Sequence, residues 1–252
     1  ALIQSFVRRD LQARYKGSTF GTLWSVIYPL TLLLLYTFVF AKVLKIRVGP
    51  GEGTDNFAIY LLCGLLPWSA VAEGLNRSTT VLLEHASLIK RTLFPAEILP
   101  LYPVLSAVVG QLIGFALLLA GLLLLAHPLH LSILIFPIIL LLQCAFTIGL
   151  AWIISGLNLF MRDLGQMVGL VLTSWSFLTP IFYPPSLVPT NLRFLLTFNP
   201  MHALIESYRS LILKGQVPAW DSFVVLGVFA FLTYYLGYRV FVRMQPAFAD
   251  MI

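Results

Sequence analysis

The sequence predicts an all-α integral membrane protein of six transmembrane helices, with an N-terminal amphipathic interfacial helix and short re-entrant external helices between helices 5 and 6. Three observations predict it. Of 252 residues, 59% are hydrophobic and only 10% are charged, far from the balance of a soluble domain. The 64 positions from Ile98 to Met161 contain no acidic or basic residue, a run that no water-soluble fold could keep covered. Six apolar runs stand between polar breaks, each near the roughly 20 residues that a helix needs to cross the hydrocarbon core.

The first 18 residues form the interfacial helix. Leu2, Ile3, Phe6, Val7, Leu11 and Tyr15 recur at helical spacing, with Arg8, Arg9, Gln12 and Lys16 on the other side. The next apolar run already has full spanning length, unlike the short apolar core of a cleaved signal, so no processing is expected. The spans run from Thr22 to Val43, Phe57 to Leu83, Ile98 to Ala126, Leu131 to Phe160, Leu164 to Ile181 and Phe223 to Val242. The third and fourth are joined by the short hairpin His127-Pro128-Leu129-His130, the fourth and fifth at Arg162-Asp163. Between Phe182 and Asp221 lie five prolines and two short apolar stretches, Leu192 to Phe198 and Met201 to Leu213. Pieces too short to span are expected as re-entrant or interfacial helices, because broken backbone facing lipid would leave its amides unpaired. No repeat or second domain is visible, so residues 1–252 read as one transmembrane domain.

An even number of spans puts both termini on one side. Placing them in the cytoplasm assigns nine Lys and Arg residues inside against six outside, with Arg209 among the outer six. The net charge of +6 then faces lipid headgroups, and a nucleic-acid partner is not expected. Cys63 and Cys144 lie inside apolar runs and read as small core residues.

Chemistry carried by the chain itself is sparse. The Gly-Lys dipeptide that closes a phosphate-binding loop is absent, so no nucleotide is hydrolysed here. No zinc helix or nucleophile elbow is present, and the four histidines are expected in loops. No catalytic residue, metal or bound cofactor is predicted. Glu73 and Arg77, four residues apart on one span, are expected as a buried ion pair, read either as a packing device or as part of a transport path. Gly110-x-x-x-Gly114 and Gly165-x-x-x-Gly169 read as close helix packing. Trp24, Tyr28, Tyr36 and Phe40 follow along the first span, and Trp175, Phe177, Phe182 and Tyr183 gather near the outer end of the fifth. An aromatic face can stack on sugar rings, and it is also what an interfacial belt looks like. From Glu84 to Pro95 a short cytoplasmic helix is expected, with Leu88, Ile89 and Leu93 on one side and Lys90 and Arg91 exposed. This shape suits either a passive surface element or the grip of a soluble motor domain.

The order of short motifs resembles a known family. Arg9-Asp10-Leu11-Gln12-Ala13-Arg14-Tyr15-Lys16-Gly17-Ser18 leads into Gly21-Thr22-Leu23-Trp24 and Pro29; Asn158-Leu159-Phe160-Met161-Arg162-Asp163-Leu164, Thr179-Pro180-Ile181-Phe182-Tyr183-Pro184, Asn199-Pro200-Met201, Tyr208-Arg209 and Gly215 follow. Nearly the whole chain resembles the permease subunits of type-2 ABC exporters for O-antigen, capsular polysaccharide and teichoic acid. The resemblance implies a homodimer docked on two separate ATP-binding cassette subunits, which would hold ATP and Mg²⁺, in a bacterial inner membrane. Its cargo would be a glycan on undecaprenyl pyrophosphate, moved through a channel between the two copies and lined by the aromatics of the first and fifth spans. Residues 84–97 would be the coupling segment and 182–218 the external gate helices. Arg8, Arg14 and Lys16 would attract the lipid pyrophosphate, an alternative to anchoring on anionic lipid. The competing functions are a type-2 ABC permease for a drug or lipid, and an ion-coupled carrier or polyprenyl-lipid transferase. Either of the last two would need more intramembrane charge than Glu73 and Arg77 supply.

Overall fold

Apolar side chains recurring over whole spans make this chain a bundle of helices. The computed structural model describes residues 2–14, 20–43, 54, 56–91, 94–124 and 130–251, and among them there is no strand. In order, the helices are α1 (Leu2–Arg14), α2 (Trp24–Tyr36), α3 (Phe57–Glu84), α4 (Ala86–Arg91), α5 (Leu101–Leu124), α6 (Phe136–Phe160), α7 (Leu164–Leu178), α8 (Arg193–Thr197), α9 (Pro200–Arg209), α10 (Trp220–Met244) and α11 (Phe248–Met251). Wider π turns extend α2 through Thr37–Val43 and α9 through Ser210–Lys214.

Four helical segments are long and apolar enough to cross a membrane: Phe57–Glu84, Ala96–Leu124, Leu131–Phe160 and Trp220–Ala247. They correspond to the second, third, fourth and sixth expected spans. The other two are shorter as regular α-helix. α7 has 15 residues, about 22 Å at 1.5 Å per residue, and stops at Thr179 because Pro180 follows. α2 is apolar but holds Pro29 and passes into the π turn at Thr37. The hairpin residues 127–129 lie outside the described residues.

α3 is the central helix. Asn56 caps it, its side chain accepting from the Ala58 amide at 3.0 Å, and most of its length is buried against α5, α6, α7 and α9. The most extensive helix pair, however, is α6 with α10. A Cβ placed on Gly149 would strike the backbone of Thr233 and Tyr234, and one on Gly237 would strike the Gly149 carbonyl. The close crossing of the bundle is therefore here and not at the expected glycine pairs. A Cβ on Gly110 would meet nothing within 4 Å, and those on Gly165 and Gly169 would make only ordinary contacts at 3.8 and 3.9 Å. Gly114 does fit the expectation, since a Cβ there would collide with Leu66 of α3.

The two short apolar stretches after α7 part company. The first becomes α8, largely exposed, whereas α9 and its π turn are almost wholly buried from Met201 to Leu213. Asn199 starts α9: its side-chain oxygen accepts from the amides of Met201 and His202 and from the indole N–H of Trp175 at 3.0 Å, while its amide nitrogen donates to Thr179. Gly215 ends the π turn with φ of +65°, a conformation that few side chains accept, and any Cβ there would run into the ring of His130. His202 lies within α9 and is not the loop residue expected, whereas His85 is the turn residue between α3 and α4.

Arg209 departs furthest from its expected place. Counted above among the outer charges, it is fully buried, 0% exposed. Its guanidinium donates to the carbonyls of Pro180 and Ile181 at 2.9 and 3.2 Å and lies over the ring of Tyr60. The proline-broken backbone after α7 leaves carbonyls that helix geometry cannot satisfy, and a planar cation with several donors satisfies two at once.

A second polar group sits between apolar helices. Gln111 of α5 and Gln143 of α6 exchange amide hydrogen bonds at 3.0 and 2.7 Å, and the Tyr208 hydroxyl donates to Gln143 at 2.8 Å. Three helices are thus tied by a closed set of bonds among fully enclosed side chains.

Candidate functional site

The amphipathic period of α1 lays its apolar side on the bundle. Phe6 stacks on Tyr102 with centroids 5.5 Å apart and meets His85 and Phe94 edge-on. This docking brings Asp10 and Arg14, one turn apart on α1, against Glu73 and Arg77, one turn apart on α3. The pairs cross: Arg14 reaches Glu73 at 2.6 Å, and Arg77 grips Asp10 with both terminal nitrogens. Within each helix the contacts are looser, Arg14 to Asp10 at 3.4 Å and Arg77 to Glu73 at 3.6 Å.

The expected ion pair of Glu73 and Arg77 is present at 3.6 Å, but it is not buried and it shares its charges with α1. Their side chains are 40% and 33% exposed, and their stronger partners come from α1. The cause is long-range: 67 residues separate Asp10 from Arg77, and helical spacing reveals only local pairs. Burial pushes the Asp10 carboxyl up, but the hydrogen bonds and charge of Arg77 outweigh it and hold the group below its ordinary value.

Beside this cluster a cleft of about 320 Å³ runs between α2, α3 and α5. Arg14 and Glu73 stand at it with Ser69 and Gln111, while Trp24, Pro29, Leu32, Leu62 and Leu66 make its apolar wall. Arg14 is therefore already engaged by Glu73, whereas Arg8 points out from α1. Lys16 lies outside the described residues.

The expected aromatic residues do not form one wall. Trp24 is 43% exposed and lines the cleft, and Tyr36 packs partly against the core. The side chains of Tyr28 and Phe40 lie outside the described residues. Trp175 is turned into the bundle, edge-on to Trp68 at 6.0 Å and to Phe146 at 6.3 Å, with its N–H spent on Asn199. Phe177 is 64% exposed and rests 5.9 Å from Phe182, and the Tyr183 hydroxyl donates to the Phe177 carbonyl at 2.8 Å.

In the expected coupling segment, Glu84 belongs to the last turn of α3 and accepts from Thr80 at 2.6 Å. α4 follows as six residues, with Ile89 against the core and Lys90 exposed. A groove of about 550 Å³ separates α4 from α1, lined by Phe6, Arg9, His85, Leu88, Phe94 and Tyr102. The Arg91 side chain and Leu93 lie outside the described residues. Among the described residues no group of His, Cys, Asp and Glu could hold a metal ion.

An amphipathic helix is thus fastened by crossed ion pairs to the first of the membrane-length helices, and comparison with known proteins decides the family. Residues 1–213 match the family described as ABC-2 type transporter. The chain belongs to the ABC-2 transporter membrane family. Along its whole length this ABC-2 protein is 31% identical to a protein named O-antigen export system permease protein RfbA from Klebsiella pneumoniae, over 95% of that protein. It is 29% identical to the protein of the same name from Myxococcus xanthus, again over all of this chain and 95% of the relative. Similarity extends to the polysialic acid transport protein KpsM of Escherichia coli, 22% identical over 97% of this chain and 94% of the relative. Sequence reasoning passed over Asp10, whose partner Arg77 lies 67 residues away, Gln111, bonded to Gln143 of α6, and Ser69, which lines the cleft. Asp10 carried a signal, since it lies four residues before Arg14 at the spacing used for Glu73 and Arg77.

Proposed function

We propose that this chain is the membrane permease of an ATP-driven polysaccharide exporter, and that its cargo is an O-antigen-like glycan on undecaprenyl pyrophosphate. The observation that carries the reading is the unbroken likeness to O-antigen export permeases, 31% identity over every residue of the chain. The absence of a phosphate-binding loop accords with it, since the energy then comes from separate ATP-binding cassette subunits that hold ATP and Mg²⁺.

In this reading two copies form a symmetric pair in a bacterial inner membrane with both termini in the cytoplasm, and two ATPase subunits grip α4 and α1 across the groove at His85 and Leu88. The pathway lies between the copies, because six helices enclose too narrow a space for a sugar chain. Exposed Arg8, with Lys16, draws the pyrophosphate to the membrane surface. Trp24 and Tyr36 from one side and Phe177, Phe182 and Tyr183 from the other give the polymer apolar faces to slide along. The segment 182–218 gates the far side.

The test is ATP turnover. The permease is reconstituted in nanodiscs with the ATPase encoded beside it, and undecaprenyl-pyrophosphate glycan is added. A stable complex whose turnover changes several-fold with the lipid-linked glycan is expected. A complex that ignores this lipid and responds to a drug or a plain phospholipid overturns the glycan assignment.

A further inference from the structure

α9 packs on the first half of α3, through Gly64 and Tyr60, whereas α1 is fastened to the second half, at Glu73 and Arg77. Whatever α9 carries therefore lies toward the end of α3 away from α1. There a cleft of about 370 Å³ opens between the turn Pro185–Leu187, α8, α9 and the first turn of α10. This volume is at the lower end of pockets that take small ligands, about 300–1,000 Å³.

The lining mixes polar and apolar groups. Arg193, His202 and Asp221 face the cleft with the hydroxyls of Ser186, Thr197 and Ser222. Pro185 and Leu196 add apolar surface. The single guanidinium and single carboxylate cancel. Burial, against the pull of Glu206, pushes the His202 imidazole below its ordinary value, so it is neutral near pH 7 and leaves only Nε2 to meet a ligand. Its Nδ1 is shielded from solvent and finds no partner within the protein, whereas the Arg193 Nε is already committed to the Val188 carbonyl at 3.2 Å.

We infer that this cleft is a binding site for uncharged sugar units, a second contact for the polymer on the side away from α1. The inference rests on the exporter reading above for its source of sugar. A hydroxyl donates and accepts at once, so a run of sugar hydroxyls matches a surface where carboxylate, guanidinium, imidazole and hydroxyls alternate. The C–H side of the sugar ring matches Pro185 and Leu196. A charged ligand gains nothing over a neutral one, since for an acidic sugar the attraction of Arg193 is offset by the repulsion of Asp221, and for a cationic one the reverse holds.

The test uses the full chain in nanodiscs and saturation-transfer NMR with three soluble probes at equal concentration: maltotetraose, mannotriose and a sialic acid tetramer. Transfer to at least one neutral probe is expected, falling five-fold or more in Asp221→Asn and in Arg193→Gln, with little transfer to the acidic tetramer. Both side chains are exposed, so neither substitution disturbs the core. No transfer to either neutral probe, unchanged transfer in both variants, or equal binding of the acidic tetramer overturns the inference. The two readings fail separately. If lipid-linked glycan drives ATP turnover while the cleft binds no neutral sugar, the cleft assignment alone falls. If the cleft binds neutral sugar while turnover ignores the lipid-linked glycan, the exporter reading falls and the sugar site remains.

Discussion

The guanidinium of Arg209 lies 3.6 Å above the ring centroid of Tyr60, and both side chains are fully enclosed by the bundle. A cation over a desolvated aromatic face is worth about 2 kcal/mol, and the two backbone carbonyls that Arg209 satisfies would each cost about 1–3 kcal/mol if left unpaired. Arg209→Lys keeps the charge and loses the fork. Its thermal unfolding in detergent is expected to come well below that of the native chain, with Tyr60→Leu intermediate between the two. Equal melting of Arg209→Lys and the native protein would show that the broken backbone after α7 has another partner.

The crossed ion pairs set a pH dependence. The folded-state value of Asp10 is depressed below the ordinary 3.8. Its contribution to docking α1 is thus fully present above the unfolded value and is lost only as pH falls through the lower folded value. A spin label on exposed Gln4 should report the same mobility from pH 5 to pH 8 and a rise below pH 4. Asp10→Asn should show the loosened state at neutral pH, and the exchange Asp10→Arg with Arg77→Asp should recover part of the docking. A label whose mobility changes between pH 6 and pH 7 would assign the control to some other group.

Glycine substitutions should separate by place. Gly149→Ala forces a methyl into the α10 backbone, and overpacking of this kind costs about 1–3 kcal/mol or more. Gly110→Ala meets open space and gains up to about 1 kcal/mol of helix propensity. Unfolding of the two variants in one detergent series is expected to shift in opposite directions, and a shared loss would mean that Gly110 touches a surface outside the protomer.

Replacing Gln143 by Leu strands both the Gln111 amide and the Tyr208 hydroxyl. Interhelical hydrogen bonds in membrane proteins average about 0.6 kcal/mol, but two unpaired enclosed groups should raise the loss to about 2 kcal/mol. The pair Gln111→Leu with Gln143→Leu should be less damaging than the sum of the single changes. Additive losses in a double-mutant cycle would show that the two amides do not act together.

Much of the architecture was legible because spanning length, charge-free runs and proline breaks are local signals. They located α3, α5, α6 and α10 to within a few residues, and the period of Leu2, Phe6 and Val7 located α1. What escaped them is pairwise and distant. Arg209 counts among the outer charges because it lies between the fifth and sixth spans, in a stretch expected as a re-entrant or interfacial helix; only the fold shows that its guanidinium satisfies the carbonyls of Pro180 and Ile181. Trp175 was grouped with Phe177 by proximity in sequence, yet two residues along a helix turn a side chain through about 200°, and the first faces inward while the second faces out. The closest helix crossing joins Gly149 to Gly237, glycines too far apart in sequence for any spacing rule to associate.

That crossing bears on how the chain is made. Its tightest seam joins the middle of the polypeptide to its last long helix, so the seam cannot form until α10 has left the ribosome and entered the bilayer. Until then the Gly149 face of α6 lies open to lipid, and a chain halted before Trp220 has its early helices inserted without the partner that locks them. The Gly149–Gly237 seam therefore closes only after every earlier long helix of the described bundle has been made.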